Sequence, residues 1–369
     1  MDQRQRIETL VGKVLEAAAS PENARRKARK PAIGVGLEDP IASTKIFGFD
    51  ANDFYGDPLL NLELQLRGKL WRWEHISDDT PMTAEMPIFL SYYPEYTFLG
   101  IGVSFSAEGV PDIQQDHPMT RNPDVGLIPA VDFQRSGWMP KLLEWYGRFN
   151  DILKGRLAVL FPDWGRGCLD IAIQLRGYAT LMADIAERPA FVHELLGALT
   201  VERIRWFGDL YRFMGRAPAP VGIADDWLNV PYITPGFFEE FVLPRYHEIE
   251  RFHGGIASIH SCGNQTPLQP AMLRIRSLKF FEVSAWTDLE KTVATVPADC
   301  SLGLSVHPND VLVAPPEEIR GKLARFARLC RGRSFSMGTS GLTPLTADFG
   351  EFERRIARWI AIARETLQG

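Results

Sequence analysis

Within GGIASIHSCGNQTPL, Gly254 to Leu268, a histidine and a cysteine stand two residues apart, His260 and Cys262. They fall where a short β-branched run, Ile256 to Ile259, breaks into polar, Gly-containing sequence. Neutral imidazole and thiolate are both good ligands for zinc, a borderline-soft cation. A catalytic zinc takes three protein ligands and keeps a fourth position open, so two ligands alone do not make a site. A third must come from elsewhere in the chain, and Glu282, His307, Asp225 and Asp226 are the candidates. The competing reading is a buried, hydrogen-bonded histidine beside an inert thiol.

These residues need elements to position them. From about residue 156 short apolar runs alternate with helical pattern. Strands are expected at 156–161, 220–224, 256–259, 278–283, 302–306 and 334–337. Helices are expected at 190–214, from the Thr234-Pro235 cap to about 253, and at 267–275, 289–296, 316–329 and 349–366. This rhythm implies right-handed βαβ units and a parallel sheet, and six successive units favour a closed (β/α)8 TIM-type barrel. No Gly-rich dinucleotide fingerprint follows any strand, which argues against a Rossmann fold.

The first 150 residues are less regular. Segments 31–36, 87–92 and 99–105 are candidates for the remaining strands, and 58–74 and 139–153 read as helices. The segment 92–129 reads as an elaborated loop or lid. One domain is expected over 1–369, with an N-terminal helical extension to about residue 80 and the barrel from about 85.

Barrel chemistry sits at the C-terminal ends of strands. The polar residues just past the expected strands are Asp163, Asp225 with Asp226, His260 with Cys262 and Asn264, Glu282, His307 and Ser340. Asp225 and Asp226 suit orienting a ligand or accepting a proton. Trp164, Trp227 and Trp286 stand near the same rim and suit the lining of an aromatic pocket, with Asp163, Asn264 and Ser340 as further substrate contacts. His247 and His253 fall on an outer helix and read as surface or packing residues.

Composition narrows the function. A net charge of −5 argues against a nucleic-acid surface, and no run reaches the roughly 18 apolar residues of a membrane span. Four cysteines, Cys168, Cys262, Cys300 and Cys330, are too few for a disulfide framework in so long a chain. The N-terminal twenty residues mix charge with apolar residues and lack a signal-peptide core, so a cytoplasmic location is expected.

Several pieces, in order, resemble the uroporphyrinogen decarboxylase superfamily, especially its corrinoid-dependent methyltransferase branch. They are Phe49 to Leu66, Gly177 to Leu196, Asp225-Asp226 followed by ITPGFFEEFVLPRYHEI, IHSCGN, and VHPNDVLVAPPEEI from Val306. The resemblance implies a barrel enzyme with Zn2+ held by His260, Cys262 and a later cysteine. It also implies methyl transfer between a small methylated substrate, with aryl methyl ethers among the candidates, and the cobalt of a corrinoid on a small partner protein. The family's later cysteine sits in a Gly-Cys-Gly-like turn, where this chain has GTSGLTP and Ser340. Glu282, His307 or an aspartate would then complete the ligand set. The arginine- and glycine-containing signature of the decarboxylases proper is missing. A metal-free decarboxylase and a non-catalytic corrinoid- or ligand-binding barrel stand as the alternatives, and the sequence does not disclose the oligomeric state.

Overall fold

The computed structural model describes residues 2–107 and 111–369. Residues 108–110, inside the expected lid, lie outside the described residues. Among the described residues nine strands are present: β1 (Glu85–Pro87), β2 (Val103–Phe105), β3 (Pro111–Ile113), β4 (Ala158–Leu160), β5 (Val221–Ala224), β6 (Ile256–His260), β7 (Phe280–Val283), β8 (Ser301–Val306) and β9 (Phe335–Thr339).

Two runs of parallel segments organise them. In the first, β7, β8 and β9 form one ladder, and residues 33–37 extend it through bridges from Ile33 to Met337 and from Leu37 to Leu342. In the second, β1 pairs with β4, β5 pairs with β6, and an Arg166–Ala224 bridge ties the β4 loop to β5. Among the described residues, no ladder joins β6 to β7. The expected strand at 99–105 shortens to β2, which pairs antiparallel with β3 and stays outside the parallel runs. A tight turn at Leu99 and Gly100 and the short ribbon that follows explain the departure, since a parallel neighbour needs a long crossover.

β1, β4, β5, β7 and β8 alternate in burial. In β8, Leu302, Leu304 and Val306 are buried, while Ser301, Gly303 and Ser305 are only half-buried. Buried positions face the surrounding helices, where they join one continuous core with Trp145, Trp206 and Trp359. The helices are bounded by local chemistry. Asp57 caps Pro58–His75 by accepting from the amides of Leu59 and Leu60, with proline at the first helical position. The expected helix from Thr234 to His253 holds its span but carries a wider turn at Phe238–Val242 before Leu243–His253. Pro244 has no amide to give the preceding turn, which accounts for the irregularity.

His253, expected as a surface or packing residue, packs. It is 1% exposed, with its Nδ1 2.7 Å from the Tyr211 hydroxyl. Burial, with the nearby Arg203 charge, pushes its pKa down to about 4. The unfolded chain therefore takes up a proton near pH 6.5 that the folded chain refuses until about pH 4. Stability is retained above pH 6.5 and falls as pH drops toward 4, by no more than about 1.4 kcal/mol per pH unit. Thermal melts of the native protein and His253→Gln between pH 7 and 4 should converge as pH falls; parallel curves would exclude His253 as a source of acid sensitivity.

Candidate functional site

β5 and β6 deliver the central residues. β5 ends at Ala224 and the chain turns through Asp225 and Asp226, while β6 ends at His260. The amide of Asp225 donates to the His260 carbonyl at 3.0 Å, so the two strand ends are locked in register. Asn229 clamps the loops, donating to the Asp226 carbonyl at 2.7 Å and to Ser261 Oγ at 3.1 Å. Gly263 is required here, because a Cβ would lie 2.1 Å from Asn229 Oδ1.

The result is a three-donor cluster. Ligand atoms of Asp226, His260 and Cys262 all lie within 4.8 Å of one another. His260 Nε2 is 3.5 Å from Cys262 Sγ and 3.7 Å from Asp226 Oδ1. Bonds of about 2.0–2.3 Å at tetrahedral angles place zinc donors roughly 3.4–3.6 Å apart, so this spacing fits a divalent cation with little movement. On the other side of the ring, Glu282 Oε2 lies 2.6 Å from His260 Nδ1. A carboxylate there fixes the ring and favours the tautomer that leaves Nε2 as the ligand. The Cys262 and Glu282 hydrogen bonds hold the imidazole pKa up at about 10.

Behind Asp226 lies a buried charged layer that the sequence reading missed. Arg166 Nη1 contacts Asp226 Oδ2 at 2.5 Å and Asp170 Oδ2 at 2.9 Å, and its guanidinium lies 4.5 Å from the Tyr93 ring centroid. Asp170 is pushed up to about 6 because its burial outweighs the Arg166 charge. Glu95, 1% exposed, accepts the Arg166 amide and is pushed up to about 7 by burial. The Gly-Arg-Gly at 165–167 just past β4 was a readable signal, with Asp170 one helical turn on.

Other expected site residues fall elsewhere. Asp225 is fully buried, accepts from the Tyr246 hydroxyl at 2.9 Å, and is held well above the usual carboxylate range by burial and the Asp170 charge. It is not placed to touch a substrate, contrary to the expected catalytic role; its side chain packs against Gly167 instead. Glu282, expected as a ligand, holds the far nitrogen of His260. His307, also expected as a ligand, is turned away as a helix cap: its Nδ1 accepts the Asn309 amide at 3.1 Å and its ring meets Trp286.

Trp164, expected to line a pocket, has no exposure and packs on Phe98 and Trp206. Trp286 is 61% exposed, and half-buried Trp227 stacks on Tyr178 with Tyr232 at its edge. Asp163 is exposed and pairs with Arg216, Asn264 bridges to Val230, and Ser340 Oγ lies 3.3 Å from Ser305 Oγ. None of these belongs to the three-donor cluster.

Parallel strands alternating with helices, with Asp226, His260 and Cys262 gathered at the ends of β5 and β6, define an α/β protein whose chemistry-bearing residues share one edge of the strands. The sequence matches the family Uroporphyrinogen decarboxylase (URO-D) over residues 86–340, well over half the chain. The chain belongs to that family. A solved structure, "methyltransferase from Methanosarcina mazei", is similar in fold, with a TM-score of 0.65 across 96% of this chain and 98% of that chain at 15% identity. No curated protein matches the sequence.

Proposed function

We propose that the protein is a zinc-assisted methyltransferase that moves a methyl group between a small methylated substrate and the cobalt of a corrinoid on a separate small protein. The convergence of Asp226, His260 and Cys262, with Glu282 behind the ring, is the observation that carries this reading. It answers the missing third cysteine: an aspartate from the neighbouring strand end takes the place that Ser340 cannot fill. Membership of the URO-D family and the name of the fold neighbour agree with it. We also read the two parallel runs as the halves of one closed (β/α)8 barrel.

Zinc, when bound, would supply Lewis acidity toward the donor heteroatom. The protein's own groups do the rest. Asp226, His260 and Cys262 hold the cation, Glu282 sets the imidazole, and Arg166 sets Asp226. The Trp227–Tyr178–Tyr232 group, beginning one residue after Asp226, offers flat apolar surface to an aromatic donor such as an aryl methyl ether. In such a transfer the donor heteroatom would keep the bonding pair and take up a proton, while the methyl would pass to the electron pair of a cobalt(I) acceptor.

The direct test is methyl transfer from candidate donors to added cob(I)alamin, followed by its absorbance, on protein loaded with one zinc per chain. Release of carbon dioxide from a porphyrinogen without any methyl transfer would replace this reading with the decarboxylase one. Glu282→Gln is expected to weaken zinc binding about 10–100-fold while leaving one site per chain, the range for losing a group that orients a ligand. An unchanged affinity in competition with a chelator would remove Glu282 from the site.

A further inference from the structure

A cavity of about 390 Å³ lies along the face that β7, β8, β9 and residues 32–34 turn away from their helices. It begins among Asp79, Thr80 and Pro81, which precede β1 and stand at the N-terminal edge of the strands. It ends at Ser305, Thr339 and Glu282, near the C-terminal edge. Glu282 is the carboxylate that holds His260 Nδ1, so the cavity stops at the back of the three-donor cluster.

Its walls are unlike an ordinary barrel interior. Such interiors are filled by layers of Val, Ile and Leu and leave no pore. Here the corresponding positions carry Gly34, Ser305, Ser336 and Gly338, which leave space open beside the Phe280 ring that lies over Gly303. Polar atoms of Thr80, Ser305, Ser336 and Glu282 recur along it, and a stable internal water needs two to four such partners. At about 30 Å³ of liquid per water the volume admits a file of several waters. A pocket for a bulky apolar ligand would instead need mostly hydrophobic and aromatic walls.

We propose that this cavity is a second way into the site: a water-filled passage from the N-terminal edge to Glu282, open to water and to solutes of a few heavy atoms. The passage stands on the cavity alone. Under the methyltransferase reading it has a consequence, because a docked corrinoid protein covers the opposite face. The heteroatom that loses its methyl can then still be protonated from solvent.

The experiment uses a reporter thiol at the upper end, Ser305→Cys, in the full-length protein. Native thiols do not interfere: Cys168, Cys300 and Cys330 are buried, and exposed Cys262 is first capped with a bulky pyrenyl maleimide, which also obstructs the cluster side. Protein modified only at Cys262 is then exposed to methyl methanethiosulfonate, and peptide mass spectrometry follows the reporter. Gly34→Leu places a plug near the lower end without local clash, since the nearest atom to a Cβ there is Thr80 Oγ1 at 3.7 Å. Gly338→Leu is a second plug, with 3.6 Å to the Leu304 carbonyl, and covers the case in which the first misfolds by thermal melt. The reporter is expected to react in the capped protein and to slow at least tenfold with a plug. A reporter that is inert once Cys262 is capped, or that reacts equally fast with folded plugged protein, overturns the passage. Neither outcome bears on zinc binding or methyl transfer, which are measured separately.

Discussion

His260→Ala is expected to abolish stoichiometric zinc binding and methyl transfer together, with affinity falling by more than the roughly 100-fold that marks loss of a mere orienting group. The ring is the hinge of the site: its Nε2 faces both Cys262 and Asp226, and its Nδ1 is held by Glu282. Removing it leaves a thiol and a carboxylate with no donor between them. Cys262→Ala should do nearly as much, and Cys262→Ser should resemble it because a hydroxyl is a poor zinc ligand compared with thiolate. Asp226→Ala separates this ligand set from its rivals, since a site completed by His307 or Glu282 would keep its metal. Elemental analysis of the four proteins decides the matter. Full zinc in Asp226→Ala would exclude that residue as the third ligand, and full zinc in His260→Ala would end the zinc reading. All three side chains are partly exposed at strand ends, so melting temperatures of the apo-proteins should change little.

Much of the frame was legible because periodicity reports burial. The β8 alternation and the helix 316–329 can be read directly from the sequence, and the structure reproduces both. The working edge was legible for a related reason: a parallel strand ends in one direction, so polar residues after successive strands must share a rim. Which rim residues meet was not legible. Asp225 and Asp226 are equivalent as letters, yet one turns into the core beneath Tyr246 and the other faces His260, a choice made by loop geometry. His307 looked like a ligand because histidine before Pro308 also fits a helix cap, and only the backbone distinguishes the two. Tryptophan has a similar ambiguity. Trp164 and Trp286 stand at corresponding places after their strands, but one is enclosed by Phe98 and Trp206 while the other is left to solvent.

Arg166→Met is expected to produce the largest loss of stability, about 3–5 kcal/mol, the range for stripping the partner from a buried charge pair. The arginine side chain is 10% exposed and holds two carboxylates, Asp170 at 2% and Asp226 at 28%. Methionine matches the aliphatic stem but gives up the charge together with the guanidinium's contact to the Tyr93 ring. Asp170 already sits at about 6 with the guanidinium beside it, and without it the carboxyl rises further. A carboxyl raised above its unfolded value favours the fold while protonated and loses that advantage as pH climbs through the folded pKa. The deficit in melting temperature against native protein should therefore be larger at pH 8 than at pH 5. Asp170→Asn in the Arg166→Met background should recover part of the loss at pH 8, a coupling that a double-mutant cycle measures. A deficit independent of pH and untouched by Asp170→Asn would mean that Arg166 acts by packing alone. If the charge reading holds, zinc affinity should fall in the same variant, because Asp226 then reaches the cluster without the arginine that fixes its second oxygen.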